Sequence, residues 1–123
     1  MMRWKIIEEK GTSSVEFALI LPILILILFS ILEFGIAYNH YLAITHAARE
    51  GARLAAVGKY SEEVVRERAY PVNPTSIITN YPNGNRHGEP VEVVVRYDFP
   101  LDIPLWGSET IPLMSKAQMR IEL

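Results

Sequence analysis

The chain has no cysteine, so neither a disulfide framework nor a thiolate metal site can be built, and thiols give no reading of the compartment. It lacks a dominant sign of charge as well: 12 Lys and Arg stand against 14 Asp and Glu, for a formal net charge of −2. Without a basic cluster there is no electrostatic footprint for nucleic acid. No glycine-rich phosphate cradle, nucleophile elbow or convergent carboxylate pair is present in the sequence. His40, His46 and His87 fall on two positions six apart and on a distant loop, which is the wrong spacing for a helical zinc pair. Glu62, Glu63, Arg66, Glu67 and Arg68 read as one solvated helix face. No catalytic residue, metal ligand or cofactor is therefore expected, and the chain does not read as an enzyme.

Half of the 123 residues are hydrophobic, and they are concentrated near the start. From Phe17 to Leu32 every residue is apolar except Ser30 and the helix-breaking Pro22. The window 15–38 adds only Glu16, Glu33 and Gly35 as interruptions. As a helix it runs for roughly 36 Å, enough to cross a hydrocarbon core of about 30 Å. Before it, Arg3, Lys5 and Lys10 outnumber the first basic residues beyond it, Arg49 and Arg53, which leans toward a cytoplasmic N-terminus.

Past Tyr38 the pattern becomes amphipathic without a breaker until Gly58. His46, Arg49, Glu50 and Arg53 keep i, i+3, i+4, i+7 spacing and form a polar stripe. Gly35, Asn39, Ala43, Ala47, Gly51 and Ala55 lie four apart in one row, with Ala48, Ala52 and Ala56 in the row beside it. Small residues at that spacing let a second helix approach closely. Gly35, Ala43, Ala47, Ala48, Gly51, Ala52 and Ala55 are thus expected to form a helix-packing interface between subunits. Glu33, Arg49, Glu50 and Arg53 supply polar contacts beside it. The expectation is one helix from about Ser13 to Val57, roughly 65 Å long, kinked at Pro22.

Beyond Gly58 the chain reads as a small head over 58–123. Ser61 is a candidate N-cap for a short helix through about Ala69, which Tyr70-Pro71 and Asn73-Pro74 terminate. Ser76 to Thr79 reads as a strand, and Asn83-Gly84 as the bend of the following loop. Val91, Val93, Val95, Tyr97 and Phe99 alternate with polar residues, and so do Ala117, Met119, Ile121 and Leu123. Each set predicts a strand with that side inward. The proline-rich stretch 100–115 cannot sit in a central strand and is expected to be an edge loop carrying Trp106. The fold class is α+β: a long N-terminal helix, transmembrane in its first half and amphipathic in its second, with a small antiparallel β-sheet packed on it. A head of this size without staples is marginal alone, so the long helix or neighbouring subunits must complete its core.

Glu16 and Glu33 need an explanation, because a carboxylate in lipid costs about 2.5 to 3.5 kcal/mol on insertion scales. Gly11-Thr12-Ser13-Ser14-Val15-Glu16-Phe17 resembles the processing signal of type IV prepilins, in which a membrane peptidase cuts after the glycine on the cytoplasmic face. Residues 1–11 would then be a leader and 12–57 the mature helix. Cleavage would leave the α-amino group of Thr12 close to the Glu16 carboxylate, offsetting its desolvation and setting register between subunits. The plainer alternative is that Glu16 snorkels to the headgroups. Glu33 lies about 25 Å further along the helix, near the opposite interface.

GTSSVEFALILP, LEFG and AAREGARLAA occur in that order and together resemble the N-terminal signature of TadE-like proteins, minor pilins or pseudopilins of the tight-adherence (Flp) type IVb pilus system. The resemblance covers about Gly11 to Val57. It implies a pilin-like architecture and a single-pass bacterial inner-membrane protein with a periplasmic or extracellular head. The partners implied are other pilin or pseudopilin subunits, the pilus assembly platform, the prepilin peptidase and the membrane, with Gly11, Thr12 and Glu16 as the processing residues. Phe17 follows Glu16 where major pilins carry tyrosine, and the head is large for a major subunit; both argue against the main filament protein. Two other readings stay open. Gly35-Ile36-Ala37 has the small-x-small form of a signal-peptidase site, which would release a soluble binding domain after Ala37. An uncleaved chain would be a plain membrane anchor.

Overall fold

The computed structural model describes the backbone from Met2 to Leu123 and the side chains from Lys10 onward. The side chains of 1–9, which carry most of the charge of the expected leader, lie outside the described residues. The elements run α1 (Met2–Ala56), α2 (Glu62–Arg68), β1 (Ser76–Asn80), β2 (Pro90–Ile103) and β3 (Gly107–Arg120).

The helix α1 is 55 residues long, about 82 Å at 1.5 Å per residue. It begins well before the expected start near Ser13. Ser14 does not act as a cap: its Oγ donates to the carbonyl of Lys10 at 2.9 Å, the back-bond of a serine inside a helix. The helix also passes through Pro22 without interruption. In the apolar stretch Ser30 Oγ donates to the Leu26 carbonyl at 2.8 Å, so the hydroxyl needs no other partner in a hydrocarbon setting. The C-terminus closes in a Schellman motif. Lys59 N–H donates to the Leu54 carbonyl at 2.8 Å and Gly58 N–H to the Ala55 carbonyl at 3.2 Å, with Gly58 at φ +72° as the left-handed residue that ends the helix.

Ser61 sits at the N-cap of α2 with extended backbone but makes no side-chain capping bond. Arg66 holds the exit of α2, bonding Glu62 at 3.0 Å and the Pro74 carbonyl at 3.0 Å. The three strands form one antiparallel sheet in the order β1-β2-β3. Along β2, Val91, Val93, Val95 and Phe99 are buried and Tyr97 is half-buried, so the expected inward face is the face that packs on α1.

Three local expectations are corrected. The stretch 100–115 is not an edge loop: β2 continues to Ile103, β3 begins at Gly107, and Asp98 to Ile103 pair with Pro112 to Gly107 as a two-stranded ribbon. Pro100 and Pro112 are accommodated because β1 pairs only with Glu92 to Arg96 and β3 is itself an edge, so each proline stands where one side of its strand is unpaired. The bend in the loop centres on Pro82-Asn83, since Gly84 N–H donates to the Tyr81 carbonyl at 3.1 Å; Gly84 closes the turn at φ +88°. Lastly, Met119 and Leu123 are exposed: at that end Ile121 takes the place against Ala55 and Ala56, and Glu122 N–H donates to the Ala56 carbonyl at 2.9 Å. The other two expected inward residues hold, Ile121 buried and Ala117 half-buried, and the inward side of β3 continues through the buried Ser115 and the half-buried Leu113 and Ile111.

The core is the contact of sheet and α2 with α1. Ile44, Ala47, Ala48 and Ala52 pack with Val65, Ala69, Val72, Val93 and Val95, and Ala55 and Ala56 with Val91 and Ile121. Gly51 marks the closest approach. A Cβ at that position would stand 2.9 Å from Val65 Cγ2 and 3.1 Å from Val93 Cγ1. Gly51→Leu is therefore expected to destabilise the head by at least about 1–3 kcal/mol through overpacking, seen as a lower melting temperature of the full chain in detergent. An unchanged melt would contradict this packing.

Candidate functional site

Among the described residues there is no group of three or more His, Asp or Glu side chains that could hold a metal. The sequence-predicted site residues all lie on α1, and its two halves differ. Residues 10–25 are all exposed, and so are most of 26–36. By length and composition α1 qualifies as a membrane-crossing helix, and none of its most apolar window is buried by the rest of the chain.

Gly11, Thr12 and Glu16 lie on this exposed part. No ion pair to Glu16 or Glu33 occurs among the described residues; Glu33 is half-buried on the helix surface. Gly35 is open, with nothing within 4 Å of a Cβ placed there.

The small-residue rows have a different occupant from the one expected. Ala47, Ala48, Gly51, Ala52 and Ala55 are buried and Ala43 is half-buried, all against this chain's own sheet and α2. The small residues do admit a close approach, but the surface that approaches them is the sheet and α2 of the same chain. Of the proposed interface only Gly35 remains open to a neighbour.

The polar stripe stays on the outer side of α1. Arg53 donates from Nη2 to Glu50 Oε1 at 2.7 Å and from Nε to Oε2 at 3.2 Å. That hydrogen-bonded guanidinium holds the Glu50 carboxyl below the usual carboxylate range and Arg53 correspondingly above its own. Arg49 is exposed. The stripe is therefore partly self-paired, with Arg49 and His46 facing solvent.

Two features were not anticipated from the sequence. His40 lies under the sheet with its ring edge-on to Tyr97, at 5.5 Å between centroids, and to Phe99, at 5.2 Å; its Nδ1 is buried with no hydrogen-bond partner. A histidine in line with Ile44 and Ala48 gave no such signal, because only the register of β2 brings the two aromatic rings over it. Next along the helix an apolar groove of about 240 Å³ runs between Phe34, Ala37, Tyr38 and Tyr41 on one wall and Leu101, Ile111 and Leu113 on the other.

Comparison with known proteins bears on the helix alone. Residues 11–53 match the family model of TadE-like proteins. The TadE-like match starts at Gly11, covers the whole apolar stretch and ends at Arg53, before the Schellman motif. It leaves α2 and the sheet unmatched. Neither the curated proteins nor the solved structures gave a match.

Because His40 buries an unpaired ring nitrogen, His40→Phe is expected to keep the edge-on ring contacts and raise head stability by about 1 kcal/mol. A thermal melt of the full chain in detergent checks this. A clear loss of stability would mean that Nδ1 has a partner the packing does not supply.

Proposed function

We propose that this protein is a structural component of a tight-adherence (Flp) type pilus, a minor pilin or pseudopilin rather than an enzyme. It would be a single-pass inner-membrane protein with a cytoplasmic N-terminus and an extracytoplasmic head. The observation that carries the reading is the TadE-like match over residues 11–53, on a helix whose most apolar window has no residue buried by its own chain. A helix of this kind must be covered by lipid, by neighbouring helices, or by each in turn.

The match begins at Gly11, the residue before the proposed prepilin peptidase cut. Cutting there would leave Thr12 as the new terminus and Glu16 within one helical turn of its amino group. Subunit contacts would use the exposed half of α1, since the small-residue rows from Ala43 onward are already filled. Lipid supplies little hydrophobic drive between helices, so such contacts rest on close packing and polar pairing. Release of a soluble domain by cutting after Ala37 is less well supported: Ala37 is a buried residue inside an unbroken helix and lines the groove under the β2–β3 ribbon.

Intact mass of the protein from its native membrane tests the proposal. Loss of the first 11 residues is expected; loss of 37 would indicate secretion, and no loss a plain anchor. In the same strain Glu16→Gln is expected to insert normally but to abolish pilus assembly. Gly35→Leu should impair assembly without changing the melting temperature of the head, because a Cβ there has nothing of the head within 4 Å. Normal piliation in both variants would remove the support for assembly through α1.

A further inference from the structure

The β2–β3 ribbon descends α1 in order. Val91 packs at the level of Ala55 and Ala56, Val93 and Val95 at Ile44 to Ala52, Tyr97 and Phe99 at His40, and Leu101 at Phe34 to Tyr41. The ribbon therefore runs toward the apolar half of the helix, and its tip lies beyond Leu101. Two further residues at about 3.3 Å each carry the strand end Ile103 roughly 7 Å onward, and the turn over Pro104 and Leu105 projects beyond it. If the hydrocarbon core begins at Val15, about 30 Å of helix ends near Phe34. The tip thus reaches the level at which α1 enters the bilayer.

The composition of the tip fits that level. Asp102 and Glu109 flank a stretch, Ile103 to Ser108, that contains no charge. Leu105 is 90% exposed and Trp106 78% exposed. Trp106 N–H donates to the Ile103 carbonyl at 3.1 Å, closing a turn with Pro104 and Leu105 at its centre. Leu105 has φ +72°, the position of such a turn where glycine is normal and a leucine is conformationally disfavoured. A strained leucine held out into water gains nothing from the fold; placed at a membrane surface it gains an apolar surrounding. Tryptophan is enriched at that same depth, its ring apolar and its N–H wet.

We propose that the hairpin tip Ile103–Gly107 inserts into the headgroup–acyl boundary of the bilayer that α1 crosses, giving the head a second membrane contact. This rests on the reading of α1 as a membrane span, and the test separates the two. The full chain carrying Trp4→Phe, with Trp106 as its sole tryptophan, is placed in phosphatidylethanolamine–phosphatidylglycerol vesicles at about one copy per vesicle. Trp106 emission is then read with acyl chains brominated near the carbonyl end and, separately, with aqueous acrylamide. The expected result is a blue-shifted emission that brominated lipid quenches and acrylamide reaches poorly. Emission at the position of free tryptophan, quenched by acrylamide alone, overturns the proposal. A blue shift that arises only at many copies per vesicle and ignores brominated lipid also overturns it, in favour of contact with a second copy. As a control, Phe29→Trp is made in a chain carrying Trp4→Phe and Trp106→Phe. Quenching of that residue but not of Trp106 leaves the span standing and removes the tip contact; failure of both removes the span itself. Leu105→Gly should relieve the turn without lowering the melting temperature of the head in detergent, while reducing lipid quenching of Trp106. Unchanged quenching in that variant would show that the leucine is not held by lipid.

Discussion

The head depends on one steric constraint: a β-sheet can approach a helix this closely only where the facing helix side chains are small. From Ala43 to Ala56 α1 supplies that face with alanines, Gly51 and a single large residue, Ile44, and Val65, Val91, Val93 and Val95 come down on it directly. Close approach multiplies weak dispersion contacts that larger helix residues would hold apart. It also explains how so small a head orders without a disulfide. The core is not internal to the head; half of it belongs to the helix, so the head cannot be separated from α1 without losing that half.

The same helix therefore has two unlike halves, one apolar and long enough to cross a membrane and one covered by the head. From Lys10 to Phe34 nearly all its side chains are exposed, and on the reading of this half as a membrane span every backbone bond must be made within the helix, because lipid offers no alternative. Above that level a face is covered and the outer side carries the Glu50–Arg53 pair. The change occurs without a break in the backbone, and no linker separates anchor from head. Tilt of the helix is thereby transmitted rigidly to the sheet.

The sequence made the helix, the alternation of β2 and the antiparallel head legible, because each is written as a period in hydrophobicity. Small residues four apart were legible as a site of close approach, yet the pattern has no term for the partner: Val93 or a neighbouring helix would select the same alanines. The misread stretch 100–115 shows a related limit. Proline excludes a central strand, and the inference to a loop assumed that the sheet was equally wide along its length. Since β1 is five residues and β2 fourteen, the far half of β2 is an edge, and proline is permitted there. Sheet width is set by pairing between distant segments, which no local pattern records. His40 was illegible for the same reason.

The covering of the alanine face constrains how α1 can assemble with other helices. On a pilin reading, subunits contact one another along the part of the helix the head does not occupy, from the proposed new terminus to about Leu42. Only Gly35 offers a small residue of the original rows there, so close backbone approach over many turns is not available. Packing would instead interleave the large side chains of the apolar stretch, where the energy per contact is low and register is poorly specified. A buried charge is then the strongest source of register, because a carboxylate displaced axially from its amine leaves both without compensation in a low dielectric. Taking the alanine face away from intersubunit packing thus makes the Glu16 pairing more necessary to the assembly reading than the sequence pattern alone implied.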